Sequence, residues 1–349
     1  MGLPQVIIEF KAKADTAVKR SGTGIVAVIL KDNTGTFDTK IYTKESEIVQ
    51  SHWTAGNKDY LSKIFMGGPS RVITERIGTT DDYDAALARL QNKVWNYLTV
   101  PAIASEDVAD ISSWIILQRD SNKKTFKAVL PNINANHEGV VNFTTDNIKV
   151  GTKTYTTAEY CTRIAGLLAG LPLTKSTTYA ALPEVESITE SVTPDTDIEA
   201  GKLILLNDGS KIKVARGINS LVTLSGTKTD DMKKIKIMEG IDIIRDDIRT
   251  TFENQYIGEN NSYDNKVLFL SAINQYFKLL VQQGVLYDKF DNTAQIDIAT
   301  QTEYLMQKSD ISDWSEEQIK QADTGTYIFV NANIRLQDSI EDLKFSVYI

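Results

Sequence analysis

Ile237-Met238-Glu239-Gly240-Ile241-Asp242-Ile243-Ile244-Arg245-Asp246-Asp247-Ile248 opens the stretch 233–284 around which the chain is organised. Ile237, Ile241, Ile244, Ile248 and Phe252 recur at steps of four, three, four and four. That spacing lays one apolar stripe along a helix, with Asp242, Arg245, Asp246 and Arg249 on its other faces. Gly258 predicts its end, and Glu259-Asn260-Asn261 is turn chemistry. Ser262 stands where it can cap the next helix by accepting a bond from a first-turn amide. That second helix, 263–283, carries Val267, Phe269, Leu270, Ile273, Tyr276, Phe277, Leu280 and Val281 on more than one face. It reads as a buried central helix stopped by Gly284. Stripes of this kind report core packing and nothing about activity.

Around that helix pair the chain alternates strand and helix patterns. Residues 24–31 are a continuous β-branched run, expected for a strand buried on both faces, and Asp32-Asn33-Thr34-Gly35 turns the chain. Residues 57–66 read as a helix and 71–77 as a strand. A helix capped by Thr80 or Asp81 runs to 93, with Tyr83, Leu87, Leu90 and Val94 on one side. Residues 95–100 are the next strand, and Ser105 caps a further helix with Glu106 and Asp107 in its positive first turn. Residues 126–130 and 139–143 follow as short strands. This alternation predicts a mostly parallel α/β layer. Residues 157–170 form a helix whose Ala165, Gly166, Ala169 and Gly170 permit close approach of another element. From 184 to 225 the character turns to β, with a hairpin around Asn207-Asp208-Gly209. After Gly284, 291–310 is polar and fits no clear pattern. Residues 314–322 are a short helix opened by Asp313 or Ser315, and 326–336 is a strand with Ile328, Val330 and Ile334 on one face.

Composition narrows the function classes. With 349 residues and 42% hydrophobic content, the chain can bury a large core in two or three domains. A formal net charge of −8 argues against a nucleic-acid backbone or an anionic membrane as partner. The single cysteine, Cys161, excludes an intramolecular disulfide and sits among Ile164, Ala165 and Leu168 as a small buried hydrophobe. Met1-Gly2-Leu3-Pro4 lacks a secretory signal's basic start and apolar run, and no apolar run is long enough for membrane insertion.

Chemistry-bearing motifs are missing where they would be expected. His137-Glu138 lacks a second histidine four residues on, where Val141 stands. His52 has no acidic or cysteine neighbour at ligand spacing, so no metal set assembles. Gly67-Gly68-Pro69-Ser70 follows a helix and carries no lysine, which excludes a phosphate loop. Gly22-Thr23-Gly24 precedes a strand, the wrong order for a dinucleotide fingerprint. Asp32, Thr34 and Asp38 lack a calcium loop's acidic third position and closing glutamate. Asp246 and Asp247, adjacent on a helix, point apart and cannot share a proton. The expectation is no catalytic residue, no metal and no cofactor.

The literal residues say more. Asp246-Asp247-Ile248, Gln255-Tyr256-Ile257-Gly258, Asn261-Ser262-Tyr263-Asp264-Asn265-Lys266 and Gln283-Gly284-Val285-Leu286 resemble the C-terminal domain of contractile-tail sheath proteins. The likeness is to the short, undecorated sheaths of phages and phage-tail-like particles from Gram-positive hosts. Arg163-Ile164-Ala165-Gly166-Leu167-Leu168-Ala169, Pro172-Leu173, 176–179 and Arg216-Gly217-Ile218-Asn219-Ser220-Leu221 resemble the central sheath domain, with Ile218 and Ser220 as conservative departures. The fold implied is α/β and α+β: a central α/β sheath domain with a β-rich segment, a C-terminal α+β domain, and extended strand arms at both ends. The boundaries are 1–23 for the N-terminal arm and linker, 24–150 for the α/β region and 151–228 for the central region with its hairpin. Residues 229–335 are the C-terminal domain and 336–349 the C-terminal arm.

The arms are themselves visible as patterns. Val6, Ile8 and Phe10 share one face of an alternating strand, and Leu343, Phe345, Val347 and Ile349 share another. Exposed terminal strands are a hazard unless assembly uses them. Burying the four C-terminal side chains contributes roughly 1.5–3 kcal/mol each. Ordering seven residues costs about 1–2 kcal/mol each. One exchange is therefore weak, and many engaged together are cohesive.

The resemblance implies stacked hexameric rings around a tail tube, contraction that drives the tube through a cell envelope, and arms that add strands to a neighbour. Implied partners are further copies of the chain, the tail tube protein, and baseplate and tail terminator proteins. The implied place is a virion or phage-tail-like particle, with the chain made in the host cytoplasm. Glu316, Glu317 and Lys320 on the 314–322 helix are the expected tube contact. Two other readings stay open at this point. One is an α/β enzyme or nucleotide-binding protein with a helical second domain; the other is a self-assembling tube or surface protein that does not contract.

Overall fold

A computed structural model describes residues 24–348, so the strand expected from Val6, Ile8 and Phe10 lies outside the described residues, as does Ile349. The described chain divides into two compact units, one of 24–242 with 338–348 and one of 243–337.

In the first unit the elements run β1 (Ile25–Lys31), β2 (Thr39–Tyr42), α1 (Ala55–Phe65), β3 (Arg71–Ile77), α2 (Asp84–Gln91), β4 (Tyr97–Thr99), α3 (Val108–Asp120), β5 (Lys127–Pro131) and β6 (Val140–Phe143). After them come β7 (Asp146–Val150), β8 (Lys153–Tyr155), α4 (Thr157–Gly170), β9 (Ser187–Thr189), α5 (Pro194–Glu199), β10 (Lys202–Leu203), β11 (Leu205–Asn207) and β12 (Ile212–Val214). Seven strands form one sheet in the order β10-β6-β5-β4-β1-β3-β2, parallel throughout except for β2 at the edge. The β-branched run of β1 is buried at six successive positions because the sheet is covered on both faces. Val26, Val28 and Leu30 pack toward α1 and α4 with Leu61, Ile64, Tyr160 and Ile164. Ile25, Ala27 and Ile29 pack toward α2 and α3 with Leu87, Leu90, Ile111 and Ile115.

The expected small-residue contact on α4 is made with the end of α1. A Cβ on Gly166 would stand 2.1 Å from the Ile64 carbonyl oxygen, and one on Gly67 would stand 2.0 Å from the Gly166 carbonyl carbon. Only glycine lets these backbones meet. The α4 N-terminus is closed by Thr156 and Glu159, which satisfy each other's free amides. The hairpin β11–β12 turns where expected: Asp208 accepts from the amides of Ser210 and Lys211, and Gly209 takes φ +90°.

The remaining elements are α6 (Ile235–Gln255), α7 (Tyr263–Gln282), β13 (Thr293–Ile296), α8 (Ile298–Met306), α9 (Glu316–Gln321) and β14 (Val330–Asn333). Residues of α6 up to Asp242 belong to the first unit and those from Ile243 to the second. Ser262 caps α7 by accepting from the Asn265 amide, and Gly284 follows the helix at φ +69°. In the second unit Phe252, Tyr256 and Phe269 form an aromatic cluster between α6 and α7. Lys266, buried on α7, donates to the Ala322 carbonyl and the Thr324 hydroxyl, while Asn261 donates to Thr324, Gly325 and Tyr327. The motif 261–266 thus fixes the loop that leads from α9 into β14.

Several expectations need correction. Asp242, placed on the polar face of α6, is 3% exposed and anchors an ion cluster described below. The α7 helix is not buried all round, since Val267, Leu268 and Leu279 are exposed along one side. The helix expected to run to 93 stops at Gln91 and starts only at Asp84, so Val94 is 63% exposed instead of packed. Asp107 precedes α3 and Ser105 does not cap it, because Ser105 bonds the Glu106 side chain. The polar stretch 291–310 holds β13 and α8, and β2, β7, β8, β9 and α5 had no sequence signal strong enough to place them. Of the two proposed caps for α9, Ser315 is the one used, paired with Gln318. Residues 343–348 belong to no helix or strand among the described residues. Among the described residues no helix is long and apolar enough to cross a membrane.

Candidate assembly surfaces

The chain ends on a segment with two characters. From Asp338 to Asp342 it is tied down, and from Leu343 onward it is bare. The Asp338 carboxylate meets Lys234 Nζ, and Lys236 Nζ donates to the Ser339 hydroxyl at 2.9 Å. Burial works against the charge on Asp338, but the Lys234 bond outweighs it and keeps the carboxyl below its usual range. The same Lys234 is held above its ordinary value by Asp338 against the pull of burial. Glu341 accepts from the Ser176 and Thr178 hydroxyls, each at 2.8 Å, and faces Arg216 Nη1 at 3.4 Å. Arg216 Nη2 donates to Asp342 at 2.6 Å, which raises the guanidinium's pKa further. Ser176, Thr178 and Arg216 all lie in motifs that carried the central-domain resemblance. They converge on one glutamate 125 or more positions away, and no local pattern announces that.

Beyond this clamp the side chains meet solvent. Leu343 is 86% exposed, Phe345 80% and Val347 66%. Lys344, Ser346 and Tyr348 between them are exposed as well, so the alternation of the sequence is not matched by an alternation of burial. Three large apolar side chains at alternate positions, all exposed, are a hazard unless something covers them.

The second surface is the ribbon β13–β14 with its surroundings in the 243–337 unit. Its register pairs Ala294 with Ala332 and Gln295 with Asn331. Asn274 on α7 reaches the ribbon from one side, accepting from the Ala294 amide at 2.7 Å and donating to the Ala294 carbonyl at 3.0 Å. Beside it runs a groove of about 440 Å³ with Val267, Leu270 and Ile296 in its floor and Glu316, Glu317 and Lys320 on its rim. Lys320 Nζ pairs with Glu316 at 2.7 Å, and Glu317 accepts from Gln321 at 2.9 Å. Both glutamates are exposed. The structure therefore brings the three residues expected at the tube contact to one rim.

Two further places gather polar and charged side chains. In doubly wound sheets ligands bind beyond the strand carboxyl ends where the strand order reverses. Here that reversal lies between β1 and β4, and the crevice above it holds about 410 Å³. Asp81, Asp82, Asp84, Asp107 and Asp110 line it against the single cation Lys31. Such a lining repels phosphate, which is the ligand a nucleotide-binding reading requires. Elsewhere Asp120, His137 and Glu138 gather at metal-ligand distances. The Gly139 amide donates to His137 Nδ1 at 3.0 Å, so the neutral ring carries its proton on Nε2, facing Asp120 at 3.2 Å. Lys228 Nζ already occupies Glu138 at 2.9 Å. The donor set is spent on internal bonds and does not fit a metal.

The deepest polar feature is structural. Asp242, on α6, takes two bonds from Arg119 at 2.9 and 3.0 Å and one from Lys127 at 2.9 Å. Glu239, one turn earlier, lies 3.2 Å from Lys127 and accepts from the Tyr97 hydroxyl. Burial pushes the Asp242 carboxyl up, but Lys127 and Arg119 overcome it and hold it at about 2. Burial likewise depresses Lys127, and Asp242 and Glu239 more than restore it. Two cations and two anions thus pin the first turns of α6 to α3, β4 and β5.

Comparison with known proteins agrees with this architecture. Residues 78–220 match the phage tail sheath protein central domain, and 227–349 match the phage tail sheath C-terminal domain. The chain is 38% identical to the tail sheath protein of Clostridium phage phiCD119 over 358 aligned positions, covering 99% of both. Its fold superposes on the contracted helical sheath of the anti-feeding prophage with a TM-score of 0.72 at 15% identity, covering 100% of this chain and 99% of the other. It superposes on the sheath tail protein of Desulfitobacterium hafniense with a TM-score of 0.70 at 16% identity, covering 84% and 94%. The near full-length identity to a curated sheath protein decides the matter: this chain belongs to the phage tail sheath family and is a structural subunit of a contractile tail sheath.

Proposed function

We propose that the chain polymerises as stacked hexameric rings around a tail tube, each subunit lending its terminal strands to neighbours, and that the sheath shortens to drive the tube through a target envelope. Leu343, Phe345 and Val347, exposed at alternate positions beyond a clamped root, are the observation that carries this reading. The N-terminal residues Val6, Ile8 and Phe10 act in the same way from the other end. The role is structural and needs no catalytic group; contraction draws on new subunit contacts as folded units repack between two lattices. Glu316, Glu317 and Lys320 face the tail tube protein, in a contact of exposed polar pairs worth about 0–1 kcal/mol each and therefore breakable. Baseplate and tail terminator proteins close the two ends of the polymer. The subunit is made in the host cytoplasm and works in a virion or phage-tail-like particle. An acid-lined crevice supports neither the nucleotide-binding reading nor an enzyme reading that depends on it.

Deleting 343–349 tests this. The truncated chain is expected to keep its circular dichroism spectrum, and its unfolding free energy within about 1 kcal/mol of the intact chain, because Leu343, Phe345 and Val347 are exposed in their own chain. In electron micrographs it is expected to yield no tubes. Normal tubes from that truncation would sink the strand-lending model.

A further inference from the structure

A polar cavity of about 420 Å³ opens beyond the carboxyl ends of β5, β6 and β10. It shares no residue with the clamp, the β13–β14 groove or the acid-lined crevice. Its size falls among small-molecule sites, roughly 300–1,000 Å³. Asn142 in its lining is 1% exposed; Oδ1 accepts from the Ile133 amide at 2.9 Å, and Nδ2 donates to Asn134 Oδ1 at 3.2 Å. One Nδ2 hydrogen of Asn142 and both of Asn134 are left unspent. The Asn132 and Thr144 side chains have no partner among the described residues, yet their backbones are fixed. Asn132, at φ +50°, donates its amide to the Phe143 carbonyl at 3.0 Å, and the Thr144 amide donates to the Leu203 carbonyl at 3.2 Å. Asp146 Oδ1 accepts from the Thr157 amide at 2.9 Å and hydroxyl at 3.2 Å, which leaves Oδ2 open. The cavity is thus lined by positioned donors and acceptors that folding does not use.

The lining rules out several ligand classes. Asp146, Glu190 and Asp197 outnumber Lys202, which Asp197 already holds at 2.7 Å, so phosphate and other anions are repelled. Among the described residues no aromatic ring lines the cavity, so a nucleobase has nothing to stack on. Ile204 is the one apolar side chain there, too little for a lipid. The three carboxylates do not gather at metal-ligand distances. We infer that this cavity binds a neutral saccharide. Each hydroxyl of a sugar ring both donates and accepts, and planar amides beside a carboxylate present donors and acceptors together, matching neighbouring hydroxyl pairs. The inference goes beyond the assembly reading and does not depend on strand lending. One such pocket is weak alone, but a sheath repeats it in every copy. Many sites engaged at once hold a particle on a glycan surface.

Saturation-transfer NMR on the full-length chain tests this with maltose, cellobiose and chitobiose as neutral probes, glucose 6-phosphate as the anionic one and spermidine as the cationic one. Transfer to at least one neutral disaccharide is expected, and none to glucose 6-phosphate. Thr144→Val and Asn132→Asp each remove a donor that has no partner within the chain. Each should weaken that binding about 3–10-fold, the effect of one hydrogen bond, with the melting temperature unchanged. Thr144→Ser, which keeps the hydroxyl, should bind like the parent. Binding that is equal in the parent, Thr144→Val and Asn132→Asp overturns the placement in this cavity. No transfer to any neutral disaccharide at roughly 10 mM, where even a millimolar site is filled, overturns the saccharide assignment. Transfer to spermidine alone overturns it in favour of a cation site.

Discussion

Asp242 shows what one side chain contributes here. Its carboxylate is buried and answers two cations that would otherwise be stranded in the sheet unit. Asp242→Asn leaves Arg119 and Lys127 facing only Glu239, and removing one member of a buried charge group costs about 3–5 kcal/mol. Urea unfolding of the variant against the parent measures that loss. The pH dependence has a definite sign. The folded carboxyl titrates at about 2 against an ordinary 3.8, so its stabilisation is complete above pH ~4 and is lost as pH falls toward 2. Acid titration of the parent's stability should slope in that window, and the Asn variant should lack that component. Helical periodicity assigned Asp242 to solvent because a spacing rule sees only its own helix. The partners lie 123 and 115 positions away, at Arg119 and Lys127. Gly166, by contrast, was readable, since a run of small residues on an otherwise apolar helix has a single local meaning.

Between elements, the α1–α4 contact is the tightest joint in the sheet unit. A methyl group on Gly166 would collide with backbone, not with a side chain that can turn away. Gly166→Ala is therefore expected to cost about 1–3 kcal/mol through displaced helices, read as a melting temperature lower by several degrees. Strong periodicities fixed β1, β3, α4 and α7 nearly to the residue. Elements of three or four residues, such as β8 and β9, left too few positions for any period to register. The segment holding β13 and α8 was opaque for another reason: Thr293-Ala294-Gln295-Ile296 is weakly apolar, and its partner β14 lies beyond two intervening helices. The face of α7 bearing Val267, Leu268 and Leu279 looked like core because apolar residues at helical spacing carry the same signature whether that face is covered or exposed.

For the whole molecule, the question is how the bare segment is presented. Arg216→Ala removes the ion pairs to Glu341 and Asp342 but leaves the Ser176 and Thr178 hydroxyls on Glu341. Exposed pairs of this kind are worth under about 1 kcal/mol, so the melting temperature should barely move. Trypsin cleavage after Lys344 in the free subunit should nevertheless become faster, because the root is looser; unchanged cleavage would mean the clamp does not restrain the segment. The family was legible in the residues of 157–349, and the polymer reading in the alternation of its last seven. The clamp was not, since it joins loop residues whose spacing in sequence is irregular. It also sets a length scale. From Asp342 the remaining seven residues span at most roughly 25 Å at about 3.3–3.6 Å each. On the strand-lending proposal, a tether that short reaches only what has already been delivered to its doorstep. Stray encounters between free subunits would then be filtered out by geometry, and growth would favour the end of an existing stack.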